Sequence, residues 1–199
     1  MNNIIYTYNN QVYANITNRC NCRCTFCIRN NMEGVGTANS LWLESEPTIE
    51  EIKEAIDRFD FRPYSELIYC GFGEPTCALE NLVDSARYVK VHNDISIRLN
   101  TNGLGNLYYN KNIVPILGEV VDTISISLNA PDAARYNEVT RPFHSEAFAY
   151  LLKFASECKE YIQTVKLTVV DVLSPEDIEA SRLIADSIGI PLRIRKYSA

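Results

Sequence analysis

Short β-branched runs alternate with helical patterns along most of these 199 residues. That alternation limits the fold more than any other feature of the sequence. The runs are "VYANITN" (12–18), "ELIYCGF" (66–72), "ISIRLNT" (95–101), "TISISLN" (123–129), "VKLTVVDV" (165–172) and "PLRIRKY" (191–197). Between them lie helical patterns. "TIEEIKEAIDRF" opens on a capping box, Thr48 with Glu51, and sets Ile49, Ile52, Ile56 and Phe59 on one face. "ALENLVDSARYV" follows Pro75. "SEAFAYLLKFASECKEY" starts at an expected cap, Ser145, with Phe148, Leu151, Leu152, Ala155 and Cys158 on one stripe. "SPEDIEASRLIADSIG" runs from Ser174–Pro175 to Gly189, a residue suited to a helix end. Strand followed by helix, repeated, reads as parallel βαβ units. Six of them make a partial barrel or an open α/β sheet.

The strands also have a face. Ile124, Ile126 and Leu128 oppose Ser125, Ser127 and Asn129, and Ile97 and Leu99 oppose Arg98, Asn100 and Asn102. Leu192 and Ile194 oppose Arg193 and Arg195; Ala14 and Ile16 oppose Asn15 and Thr17. With helices over the apolar side, the polar side chains converge inward. An ordinary eight-stranded barrel fills its interior with bulky apolar layers, so a polar lumen implies a polar ligand.

Composition excludes several classes. Hydrophobic residues make up 46% and charged residues 22%, enough for a core without disulfide staples. A net charge of −6 disfavours extended contact with nucleic acid. The N-terminal stretch has no basic region followed by an apolar one, and no run is long enough to cross a membrane. The expected location is the cytoplasm, where clustered cysteines bind metals or do chemistry rather than pair.

Four of the seven cysteines stand together in "TNRCNCRCTFCIRN": Cys20, Cys22, Cys24 and Cys27. A structural zinc site needs four ligands, usually as two close pairs. Cys24 and Cys27 form one pair, but neither Cys70 and Cys77 nor His92 and His144 supply a second. Four thiolates would close a four-iron cluster, yet a row of adjacent ligands at 20, 22 and 24 is awkward to fold round one cube. Cys20, Cys24 and Cys27 give C-x3-C-x2-C. Three thiolates leave one iron open, as catalytic metal centres require and structural ones do not. The cysteines follow the first parallel strand, at the end where α/β barrels place their active sites.

C-x3-C-x-aromatic-C, with Phe26 as the aromatic residue, resembles the motif of the radical S-adenosylmethionine (SAM) superfamily. Where that motif often carries leucine, this chain has Cys22, read as a spare thiol. The resemblance implies an α/β fold, a partial (β/α)6 TIM-like barrel of radical SAM type, as one domain over 1–199, with a cluster loop at 18–30 and a lid at 30–47. It implies a [4Fe–4S] cluster on Cys20, Cys24 and Cys27, and SAM chelated at the open iron. "GFGEPT" matches the family's "GGEP", which binds the SAM ammonium. Gly71, Phe72, Gly73 and Glu74 are therefore expected cofactor residues, with Phe72 standing in place of a glycine. Glycines allow close backbone approach, and a carboxylate suits an ammonium. "NTNG" and "SLN" end the next two strands and add Asn100, Asn102, Ser127 and Asn129. Arg141 in "VTRPF" is expected at the SAM carboxylate and Val170 near the adenine.

The whole string is most similar to small TatD-associated members of the superfamily. The implied activity is reductive cleavage of SAM to a 5′-deoxyadenosyl radical that takes hydrogen from an unidentified substrate. It implies oxygen sensitivity, a reductant such as flavodoxin or ferredoxin, and either a protein substrate or a TatD-type hydrolase as partner. Three readings compete: an activase of a protein partner, of the glycyl radical enzyme type; an enzyme whose small anionic substrate meets Arg98, Arg193 or Arg195; and a non-catalytic iron–sulfur carrier.

Overall fold

The computed structural model describes residues 3–196; Tyr197, at the end of the last expected strand, lies outside them. Among the described residues, seven strands form one sheet in sequence order: β1 Ile5–Tyr8, β2 Gln11–Ala14, β3 Glu66–Tyr69, β4 Ser96–Thr101, β5 Thr123–Ser127, β6 Thr164–Val170 and β7 Leu192–Arg195. β1 pairs antiparallel with β2, and every later pairing is parallel. β1 and β7 are edges, so the barrel is partial and open. The helices are α1 Ile49–Asp57, α2 Leu79–His92, α3 Gly105–Tyr109, α4 Val114–Gly118, α5 Ala133–Thr140, α6 Ala147–Tyr161 and α7 Pro175–Ser187.

The expected α/β architecture is present, with one strand and three helices that periodicity does not reveal. β1 arises from the turn Asn9–Asn10, both at positive φ (48° and 58°). This backbone is the mirror-image turn that matches the twist of a hairpin, and asparagine tolerates it. The first expected strand, 12–18, ends at Ala14; beyond it the chain peels off to form the cysteine loop.

Local signals set the ends of α1 and α7. Thr48 caps α1, accepting from the Glu51 N–H while Glu51 Oε2 accepts from the Thr48 N–H at 2.8 Å. Ser174 caps α7 through the Asp177 N–H, and Pro175 fills its first position. Gly189, at φ 64°, ends α7. Its N–H donates to Asp186 O and the Ile190 N–H donates to Ala185 O, which satisfies carbonyls a helix end would otherwise orphan. Ser145 is not the cap of α6. Glu146 occupies that place without a side-chain bond, and the Ser145 carbonyl accepts from Asn137 Nδ2 instead.

The alternation in the strands sorts side chains as expected. Val12, Leu67, Ile97, Leu99, Ile124, Ile126, Leu167 and Val169 are fully buried against the helical layer. They meet Ile52, Leu82, Ala86, Leu151, Phe154 and Ala155 in one continuous core. The polar set faces the lumen. A second, smaller core of Tyr6, Ala38, Leu41 and Phe72 pins the irregular segment 30–47 against the β1–β2 hairpin.

Candidate functional site

The C-terminal strand ends enclose a cavity of about 360 Å³, within the range of small-molecule sites. It is lined by Cys20, Cys22, Phe26 and Cys27 from the loop after β2, and by Gly71 to Glu74 after β3. Asn100 and Asn102, Ser127 and Asn129, and Thr168 and Val170 add the ends of β4, β5 and β6. Cys24 lines it too. The expected site residues are thus brought together, with one exception. Arg141 is absent from this lining. It lies with Arg23, Cys24, Thr25, Arg29 and Asn30 round a separate outer cleft of about 620 Å³, because α5 ends there and Arg141 takes a left-handed turn, φ 45°. The expected lid, 30–47, contributes no lining residue to the cavity. It straps the base of the cysteine loop from the hairpin side. Glu46 accepts from Thr17 Oγ1 (2.6 Å), the Asn18 N–H (2.9 Å) and Arg19 Nε (3.2 Å).

The cysteine loop is held from two further directions, mainly through backbone. The Glu74 N–H donates to Arg19 O at 2.8 Å. The N–H groups of Arg23 and Thr25 donate to the carbonyls of Thr140 and Val139, at the end of α5. Gly73 makes the first contact possible: a Cβ there would stand 2.2 Å from Thr17 O and 2.8 Å from Arg19 O. Gly71 is equally constrained, with Asn15 Oδ1 2.0 Å from the place of a Cβ.

Among the described residues no three His, Cys, Asp or Glu side chains converge on a point where a single metal ion could sit. Cys20, Cys24 and Cys27 all line the one cavity, as three thiolates that each bind a different iron of a cluster would. Cys20, Cys24 and Cys27 are partly exposed to the cavity, whereas Cys22 is 2% exposed. Asn102 Nδ2 lies 3.6 Å from Cys22 Sγ and donates to Asn21 Oδ1 at 2.6 Å, which ties Cys22 to the wall. Burial, then the Glu74 charge, push the Cys20 thiol up to about 12. Burial also raises Cys27, while a hydrogen bond from Cys22 lowers Cys24. Iron binding must displace these protons.

Glu74 is the most constrained group in the site, 5% exposed. Oε1 accepts from Thr76 N–H (3.1 Å), Thr76 Oγ1 (2.8 Å) and Thr101 Oγ1 (2.6 Å); among the described residues Oε2 accepts only from the Asn102 N–H (2.8 Å). A carboxylate has about four lone-pair sites, so Oε2 keeps one for a ligand donor. Burial raises the Glu74 pKa, and these hydrogen bonds oppose the rise. Asn129 Oδ1 is buried without any partner among the described residues. An orphan acceptor in a cavity wall is costly unless a ligand satisfies it. With the free lone pair of Glu74, it fits a polar ligand carrying an ammonium and hydroxyls, as SAM does. Phe72 borders the cavity, but its ring is buried against Tyr6 and Leu41 and meets Trp42 edge-on at 5.2 Å.

Sequence reasoning did not single out Gln11, Tyr13, Cys70, Thr168 or Lys196 as site residues, and these also line the cavity. Gln11 and Tyr13 continue the odd-numbered face of Asn15 and Thr17, and Thr168 shares a face with Val170. The period-two pattern therefore carried the signal for these three.

The fold and site define the class. The model of the Radical SAM superfamily matches residues 14–183, and the chain belongs to that family. Its cofactors are a [4Fe–4S] cluster and SAM, and it is an enzyme by family. A relative named GTP 3',8-cyclase from Corynebacterium glutamicum (strain ATCC 13032) is 31% identical over 138 residues, covering 64% of this chain and 33% of that protein. A relative of the same name from Lactiplantibacillus plantarum is 28% identical, covering 84% and 47%. The chain thus spans a third to a half of the length of these curated relatives. Among solved structures, Streptococcus suis SuiB bound to S-adenosylmethionine aligns over 94% of this chain and 38% of its own, at 18% identity and a TM-score of 0.65. HydG, a maturase of the [FeFe]-hydrogenase, aligns over 96% and 44% at 16% identity, TM-score 0.65. These structures share the fold.

Proposed function

We propose that the protein cleaves SAM reductively and turns the resulting radical on a small anionic substrate held in the lumen. The observation that carries the first part is the convergence of Cys20, Cys24, Cys27 and the free lone pair of Glu74 on one cavity. Cys20, Cys24 and Cys27 would hold the cluster. Glu74, Asn129 and the polar ends of β4 and β5 would orient SAM. The cluster held there would supply one electron for the reductive cleavage of SAM, the source of the radical that would take hydrogen from substrate. The chain's own residues bind, orient and exclude water, as in cofactor enzymes generally.

The second part rests on the lumen arginines. Arg98 is paired with Glu66 at 3.2 Å, yet its Nε is buried with no partner among the described residues. Arg193 and Arg195 line the same cavity with no carboxylate within 4 Å among the described residues. Cations left unpaired in a concave site suit an anionic ligand. GTP, which appears in the name of two relatives, carries an anion of this kind. The finer likeness to small TatD-associated members, and with it a TatD-type partner, rests on the motif string alone. An activase role for a protein partner finds no comparable feature here.

The test is anaerobic reconstitution with dithionite and SAM, followed by assay for 5′-deoxyadenosine. Wild type should form it, and Cys24→Ala and Glu74→Ala should not. A loaded cluster that neither cleaves SAM nor changes its EPR signal on SAM addition would replace this reading with that of an electron carrier. Adding GTP tests the substrate class. Consumption of GTP, abolished in Arg193→Ala, supports a nucleotide; its survival moves the search to other anions.

A further inference from the structure

Most arginines of this acidic chain, Arg19, Arg62 and Arg87 among them, sit against a carboxylate. Arg23, Arg29 and Arg141 do not: among the described residues none has a carboxylate within 4 Å, and all three line the outer cleft. Other groups fix two of them in place. The Arg23 guanidinium lies over the Phe143 ring, 5.4 Å from its centre. Arg29 stands 6.0 Å from the Trp42 ring centre and donates to the carbonyls of Phe72 and Cys22. These contacts hold cations without neutralising them, and Arg23 and Arg141 are exposed. A patch of three positive charges, two of them fixed, on a molecule of net charge −6 is a directional feature. An acidic macromolecule is repelled by most of the surface and drawn to this part of it.

The position of the patch says what such a partner would do. Cys24 borders both the outer cleft and the inner cavity. A single thin stretch of loop, residues 23–30, therefore separates the arginines from the proposed cluster. We propose that this cleft is the docking face of an acidic one-electron carrier protein. The carrier gives up one electron, the cluster gains it through the Cys24 side of the loop, and no covalent bond forms or breaks. This rests on the cluster reading above, but it is separable from it. SAM cleavage driven by dithionite tests the cluster, whereas carrier binding tests the cleft.

Two measurements decide the matter. In the first, the cluster-loaded protein is reduced by flavodoxin hydroquinone and, separately, by dithionite, followed by loss of cluster absorbance. At low salt, Arg23→Glu and the double variant Arg23→Glu/Arg141→Glu should slow the flavodoxin reaction by about 10-fold or more, with dithionite reduction unchanged. Added salt should slow wild type towards the variants. Equal effects on both reductants, or none on flavodoxin, would overturn the proposal. The second measurement covers loss of folding in the variants: isotope-labelled wild-type protein without the cluster is titrated with oxidised flavodoxin and with a plant-type ferredoxin. Shifts confined to residues 23–30 and 139–143, lost at high salt, support the docking face. Shifts elsewhere, or no binding of either carrier at low salt, refute it.

Discussion

Glu74→Gln separates the two tasks of the buried carboxylate. In the protein without cofactors, Glu74 is a clamp: it joins the loop after β3 to Thr101 and the Asn102 N–H. An amide has one acceptor oxygen. If its NH₂ faces Asn102, that N–H loses its partner; if it faces Thr76, the Thr76 N–H does. A buried donor left unsatisfied costs about 1–3 kcal/mol. The lost charge acts the other way. Burial raises the Glu74 pKa above its ordinary value of 4.5, so the folded state holds this proton more tightly than the unfolded chain. The contribution of Glu74 to stability is therefore greatest below pH 4.5 and falls as pH rises through the raised folded value. The variant has no such loss. At acidic pH the variant should be less stable by about 1–3 kcal/mol, and the gap should narrow as pH rises through the raised folded value and wild type weakens. SAM binding should respond differently. A hydrogen bond to a charged group contributes about 1.5–3 kcal/mol, so the SAM Kd of the cluster-loaded variant should rise about 10- to 150-fold. Urea titration of the apo protein across pH and calorimetry with SAM read the two effects separately. A Kd within twofold of wild type would refute the ammonium–carboxylate contact. A stability gap that does not change with pH would refute the buried charge.

Gly73→Ala should abolish iron loading while leaving the helical signal by circular dichroism, because its Cβ would meet only backbone atoms of the cysteine loop, 2.2 to 2.8 Å away; iron-to-protein ratios check this. Cys22→Ser should keep the full iron content and cluster EPR signal, while Cys20→Ala, Cys24→Ala and Cys27→Ala each lose them; a loss in Cys22→Ser would make it a ligand. Thr48→Ala removes the capping box of α1, which contributes no residue to the cavity lining, and should lower stability by about 1 kcal/mol in urea with SAM cleavage unchanged. Phe154→Ala empties a fully buried ring position in α6 and should cost about 3–5 kcal/mol.

The parts of this molecule that the sequence reveals are those governed by a local period or a local donor. Alternation along β4 and β5 separates core from lumen, since a strand turns every second side chain the same way. The Thr48–Glu51 box and the Ser174–Pro175 start are visible because cap and capped group lie three residues apart. β1 escapes because four residues are too few for a pattern, although Asn9–Asn10 marks its turn. α3, α4 and α5 are five to eight residues long, under three turns, and give periodicity little to register. The loss of α5 matters most for the site, because it misplaces Arg141 and hides the support of the cysteine loop. The Thr25 N–H donates to the Val139 carbonyl, and the Glu74 N–H to the Arg19 carbonyl, between groups far apart in sequence. Such bonds use backbone groups that nearly every residue has, so no residue type advertises them. What the sequence does show is the room they need: Gly73 is small because two carbonyls of the cysteine loop occupy the place of its side chain. A glycine read as part of a cofactor motif is thus first a condition for the loop that presents the cysteines, and only through that loop a condition for chemistry.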